Sequence, residues 1–165
     1  MTRTLVIGLG NPILTDDGVG VKVAYEVERA LASVDREDVT VTEASVGGLR
    51  LMEMMIGYDR VILVDALTRC NKNLPGTVHR MTLDDLRNIS PTQHSACAHD
   101  TSLVTALELG SQMELPLPQE ISIFAIEVEN VIDFSEESTP SVTAAIPEVT
   151  EAVLAELGLT QVCTN

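Results

Sequence analysis

The run Arg60-Val61-Ile62-Leu63-Val64-Asp65 constrains the fold more than any other stretch. It has strand length, is rich in β-branched residues, and is apolar on both alternating faces, so both faces must be covered. A strand of that kind belongs in the middle of a parallel sheet with helices on either side. Thr4-Leu5-Val6-Ile7-Gly8-Leu9-Gly10 reads as a second buried strand, ending in a glycine turn, and Ile121-Ser122-Ile123-Phe124-Ala125-Ile126 reads as the last strand. Val39-Thr40-Val41-Thr42 alternates as a further strand.

Helical periodicity fills the intervals. Val19, Val23, Val27 and Leu31 form an apolar stripe after Asp16-Asp17-Gly18, where acidic residues suit a helix N-terminus. Leu49–Ile56 predicts a short helix after Gly47-Gly48, and His99–Met113 a longer one with Leu103, Ala106, Leu107 and Gly110 on its buried side. Thr139-Pro140 has the form of an N-cap followed by proline at the first helical position. The helix it opens carries Val142, Ala145, Ile146, Val149, Val153 and Leu157, with a kink expected at Pro147. Ala66–Gly76, Asn88–Ala98 and the acidic Glu127–Thr139 read as loops. Gly76–Leu83 reads as a strand too close to Asp65 for a helical crossover, and is therefore antiparallel. The class is a three-layer α/β/α sandwich with a mostly parallel sheet. One domain is expected over 1–158, with a tail at 159–165 that frays.

Composition closes off several functions. Ten basic against 25 acidic residues give a net charge of −15. Such a surface repels phosphate backbones, so no nucleic-acid and no membrane partner is expected. The aromatic residues are Tyr25, Tyr58, Phe124 and Phe134, too few for base-stacking platforms. Cys70, Cys97 and Cys163 are odd in number and form no C-x-x-C pair, which fits reduced thiols in a cytoplasm. No apolar run reaches the length of a membrane span.

Sites in open α/β sheets lie beyond the carboxyl ends of the strands, where strand order reverses. Asp16 and Asp17 follow the first strand, Asp65 closes the third, and His99 and Asp100 open a helix that starts at the same edge. Two carboxylates and an imidazole from separate loops suit a divalent transition metal. Each residue also has a structural alternative: Asp16 or Asp17 caps a helix, Asp65 binds loop amides, and His99 merely starts a helix. His94 competes with His99 as the imidazole, whereas His79 lies in an edge strand and reads as structural. Gly8-Leu9-Gly10 is a weak dinucleotide signal, because Ile13 stands where the third glycine of G-x-G-x-x-G would be. No nucleophile elbow, zinc-protease helix or P-loop is present.

The segment Gly8-Leu9-Gly10-Asn11-Pro12-Ile13-Leu14-Thr15-Asp16-Asp17-Gly18-Val19-Gly20 resembles the opening signature of the nickel-iron hydrogenase maturation endopeptidases. Asp59–Ala66 and His99-Asp100-Thr101-Ser102-Leu103 resemble that family's second and histidine blocks, and the closing Pro140–Leu157 helix has a counterpart. The resemblance implies a five-stranded mixed sheet of order 2-1-3-5-4 with strand 4 antiparallel, in agreement with the loop-length reading. It also implies metal-binding and catalytic roles for Asp17, Asp65 and His99, the first position being Glu or Asp in family members. The implied activity is removal of the C-terminal extension of the hydrogenase large-subunit precursor after nickel insertion. On this reading nickel is carried by that substrate, other divalent ions can occupy the same site, and a cytoplasmic monomer is expected. Ser45-Val46-Gly47-Gly48, Glu127-Val128-Glu129 and Phe134-Ser135-Glu136-Glu137 look most like the branch serving cytosolic cofactor-reducing hydrogenases. Two other readings stand beside this one. Peptidyl-tRNA hydrolases share a G-L-G-N-P opening, but need an early histidine and a basic face. A non-catalytic nickel-binding chaperone would use the same ligands without cleavage.

Overall fold

The computed structural model describes residues 2–68, 74–88 and 98–159, the side chains of 98–102 excepted. His94, Cys70, Cys97, Cys163 and the tail beyond residue 159 lie outside the described residues, as do the His99 and Asp100 side chains.

The strands are β1 (Thr4–Leu9), β2 (Val39–Ala44), β3 (Arg60–Leu67), β4 (Val78–Thr82) and β5 (Glu120–Glu127). They form one sheet in the order β2-β1-β3-β5-β4. The first four strands in that order run parallel in three pairs, and β4 pairs antiparallel with β5 on the far edge. The helices are α1 (Val19–Leu31), α2 (Gly48–Met55), α3 (Leu83–Asn88), α4 (Ala98–Gln112) and α5 (Pro140–Glu156), with a 3-10 turn at Thr15–Gly18.

Strand alternation divides the core in two. Val6, Ile62, Val64, Phe124 and Ile126 face Val19, Val23 and Val27 of α1 and Val142, Val149 and Val153 of α5. Leu5, Ile7, Leu9, Val61, Leu63 and Ile123 face Leu51, Met52 and Met55 of α2 and Leu103, Ala106 and Leu107 of α4. Both clusters are aliphatic apart from Phe124. Small branched side chains let the helices lie close on the sheet, and removing one large buried aliphatic would cost about 2–5 kcal/mol.

Several sequence expectations need correction. β3 continues to Leu67, so Asp65 lies inside the strand and does not close it. Glu127 ends β5 and is buried, whereas the acidic loop begins beyond it. Leu83–Asn88 is helical where no helix was expected. Its entry is a capping box, with Asp85 N–H donating to Thr82 Oγ1 and Thr82 N–H to Asp85 Oδ2. Asp16 and Asp17 sit in the 3-10 turn, and Gly18 occupies the N-cap of α1 without a side-chain bond. Pro140 stands at the start of α5 as expected, and the helix runs on through Pro147.

Candidate functional site

The order β2-β1-β3 places the reversal of strand order between β1 and β3, so the crevice of this sheet opens between their carboxyl ends. Three glycines close it tightly on one side. Gly10 has φ +128°, and a Cβ there would stand 1.8 Å from the Asp17 carbonyl oxygen. A Cβ on Gly18 would stand 2.6 Å from the Pro12 Cα. A Cβ on Gly20 would stand 2.2 Å from the Val64 oxygen and 2.4 Å from the Leu9 oxygen. The start of α1 is therefore pressed against the backbones of β1 and β3, and Val64 is the residue immediately before Asp65. Lack of side chains is what brings the Asp17 turn onto the end of β3.

The two adjacent aspartates do different work. Asp16 is fully buried. Its Oδ2 accepts from Glu129 N–H (3.2 Å), Asn130 N–H (3.1 Å) and Thr139 Oγ1 (3.0 Å), and its Oδ1 accepts from Thr139 N–H at 2.7 Å. Four donors offset the desolvation of the carboxylate, and they tie the first loop to the segment entering α5. Thr139, the N-cap of α5, gives its hydroxyl to Asp16 and not to its own helix. Asp17 is half-buried, and its Oδ2 accepts the Asn11 N–H at 2.8 Å. That bond fixes the carboxylate against its own loop while leaving it partly exposed. Burial thus separates Asp17 from Asp16, which the residue types alone left as alternatives and only the resemblance ranked.

Thr15, just before this pair, has φ +47°. A β-branched residue in the left-handed region costs about 1–3 kcal/mol. Its N–H donates to the Ser135 oxygen at 2.9 Å and its hydroxyl to the Asp133 oxygen at 2.6 Å, and these bonds hold it there. Lys22 reaches the same junction and donates to Ser138 Oγ at 2.8 Å. Desolvation lowers its pKa below the usual lysine value, against the pull of Asp16, Glu137 and Glu136.

Asp65 is buried, and its Oδ1 accepts the Ala66 N–H at 2.8 Å. It follows Val61 and Leu63 at every second position, so it lies on the face covered by α2 and α4. Helix α4 leads into the start of β5, and its first turn, with His99, accordingly lies at the opposite, carboxyl edge of that face. The fold brings the Asp17 turn, Asp65 and the backbone of His99 to one edge. Among the described residues no three His, Cys, Asp or Glu side chains are grouped to hold a metal, the His99 side chain lying outside that set.

A fourth feature escaped the sequence. His79 Nε2 lies 2.6 Å from Glu127 Oε1, and Glu127 Oε2 accepts the Leu74 N–H at 2.8 Å. The Glu127 side chain is 4% exposed and that of His79 29%. His79 and Asp65 are both in register with Ala125, so His79 shares the face and the row of Asp65 two strands away, while Glu127 lies on the same face of the intervening strand, in register with Leu67. The strand assignment of His79 holds. Its partner could not be found because Glu127 read as loop. An open cleft of about 580 Å³ flanks the glycine turn on the other side, lined by Glu43, Ala44, Ser45, Val46, Arg50, Glu53 and Met54. Ser45 Oγ, in its lining, donates to the Gly10 oxygen at 2.7 Å.

The result is an α/β sandwich with a mixed five-stranded sheet and an acidic turn at its switch point. Residues 9–156 match the family model of HycI, hydrogenase maturation protease. The chain is 28% identical over 155 residues to the hydrogenase 2 maturation protease of Escherichia coli, covering 94% of this chain and 90% of that protein. The solved structure of the hydrogenase maturating endopeptidase HybD from E. coli superposes with a TM-score of 0.73 at 27% identity, over 95% of this chain and 93% of that one. The NiFe hydrogenase maturation protease HybD from Thermococcus kodakarensis gives 0.69 at 25% identity, over 94% and 99%. The chain belongs to the hydrogenase maturation protease family, and it is a protease.

Proposed function

We propose that this protein removes the C-terminal extension of a nickel-iron hydrogenase large-subunit precursor once nickel has been inserted. In this reading the nickel is part of the substrate. Asp17, Asp65 and His99 complete its coordination, and the adjoining peptide bond comes to rest in the crevice between β1 and β3. The observation that carries it is the contrast at the first loop: Asp16 is consumed by four internal donors, while Asp17 keeps a half-exposed carboxylate that accepts a single bond among the described residues. A carboxylate pair with an imidazole suits nickel, and a metal shared across an interface makes selectivity depend on the loaded state of the partner.

For hydrolysis, Asp17 accepts a proton from water as the water oxygen attacks the scissile carbonyl carbon. The C–N bond then breaks, and the tail departs as an amine carrying that proton. Peptides without the metal bind too weakly to be cut, so no general peptidase activity is expected. The partner is a large subunit of the cytosolic cofactor-reducing type. Supporting this is the likeness of Ser45-Val46-Gly47-Gly48, Glu127-Val128-Glu129 and Phe134-Ser135-Glu136-Glu137 to that branch.

The test is processing of purified loaded precursor by the Asp65→Asn and His99→Ala variants, read as large-subunit mass. Cleavage should disappear while cooperative urea unfolding is retained. Retained cleavage would remove both residues from the site, and loss of cooperative unfolding would make them structural. A protein that binds loaded precursor and never shortens it would be a chaperone.

A further inference from the structure

The segment between β5 and α5 exposes two large apolar side chains, Ile132 and Phe134, each 82% accessible. Exposure of this kind is common in slack loops, but this one is firmly held. Asn130 Oδ1 accepts from Ile132 N–H and Asp133 N–H, Ser135 Oγ accepts from Glu137 N–H, and Ser135 N–H donates to the Ile13 oxygen. Ser135 also forms a β-bridge with Leu14, and Asp16 grips both ends of the segment at Asn130 and Thr139. The chain therefore holds an aromatic and a branched aliphatic residue out in water on a rigid mount. Preorganised aromatic anchors are characteristic of interface hot spots.

We propose that this tip docks the body of the large-subunit precursor by inserting Phe134 and Ile132 into an apolar pocket rimmed by lysine and arginine. The proposal rests on the processing activity inferred above and names the surface that delivers the substrate to that site. Charge selects the partner. Glu129, Asp133, Glu136 and Glu137 surround the tip and are exposed, and no basic residue occurs between positions 127 and 139. Two copies of this chain would bring these acidic rims together, so like charge disfavours self-pairing through the tip. Position selects the role. The Thr15 hydroxyl and N–H bind the Asp133 and Ser135 oxygens, so the tip is mounted on the turn that presents Asp17. A partner gripped at Phe134 is placed in register with that carboxylate.

The experiment titrates wild type and an Ile132→Ala/Phe134→Ala variant with purified nickel-loaded precursor, measuring Kd by calorimetry and cleavage by mass. Loss of a hot-spot anchor should weaken binding by roughly 10- to 30-fold and raise KM similarly, with kcat at saturation and the urea midpoint unchanged. Glu136→Lys/Glu137→Lys should slow association and flatten its dependence on salt. A tip variant that binds and cleaves like wild type would overturn the docking surface while leaving the protease reading intact. Wild type that binds the precursor through the tip but never cuts it would support the surface and overturn the protease reading. A concentration-dependent dimer that vanishes in the tip variant would show that the tip pairs two copies, which contradicts the proposal.

Discussion

Two loops meet at the carboxyl edge of the sheet, and they are built by opposite means. The loop after β1 is held by absent side chains, with Gly10, Gly18 and Gly20 allowing backbone to lie on backbone. The loop after β5 is held by polar bonds, above all by the Asp16 carboxylate, which takes donors from Glu129, Asn130 and Thr139, with the Thr15 hydroxyl and N–H on the Asp133 and Ser135 oxygens. The first loop thus fixes itself and then fixes the second. Of its two acidic residues, one is spent on this attachment and the other keeps a half-exposed carboxylate.

Substitutions should separate these roles, and the largest effect belongs to the glycine contact. Gly20→Val puts a side chain into the Val64 and Leu9 carbonyl oxygens, which are backbone atoms of two central strands and cannot yield. The expected loss is more than about 3 kcal/mol, read as insoluble expression or a collapsed urea midpoint. Next comes Asp16→Ala, which strands buried donors and should cost about 2–4 kcal/mol. Hydrogen exchange should show lost amide protection at Glu129, Asn130 and Thr139 in particular. If the midpoint holds and these amides stay protected, the second loop is supported by something other than Asp16.

Asp17→Ala should move stability by less than about 1 kcal/mol, because its carboxylate is half-exposed and accepts a single backbone bond. Processing should nevertheless be lost. Equal destabilisation by Asp16→Ala and Asp17→Ala would erase the distinction between them.

The smallest effect is expected away from both loops, at the capping box of α3. Backbone and hydroxyl bonds from Thr82 hold the Asp85 carboxyl below the usual carboxylate range. A depressed folded value means that the stabilisation is present above the unfolded value of about 4 and fades as pH falls through the lower folded value. Acidification below about pH 4 should increase exchange in α3, and Asp85→Asn should remove that dependence without touching the edge loops.

The sheet was legible because its signals are local and redundant. Val61–Val64 is apolar on both faces, and the short link from Asp65 to Val78 left no room for a parallel crossover. Pro140 announced its helix in the same way. The structural job of Asp16 was hidden, since its donors stand 113 to 123 residues away and the backbone amides involved leave no mark on side-chain identity. Helix α3 carried a usable signal in Thr82 and Asp85, obscured by the preceding strand pattern. Glu127 was misplaced because an acidic residue at a strand end looks like the start of an acidic loop. Its burial depends on His79, which comes from a strand 48 positions earlier.

The most direct test of the account is a side-by-side cleavage assay with nickel-loaded precursor, nickel-free precursor and a synthetic tail peptide. The readout is the mass of the shortened large subunit or of the cut peptide. Cleavage of the loaded precursor alone, lost with Asp17→Ala and retained by a folded Ser45→Ala control, is the predicted result. Equal cleavage of all three substrates would contradict the nickel gate and leave an ordinary peptidase.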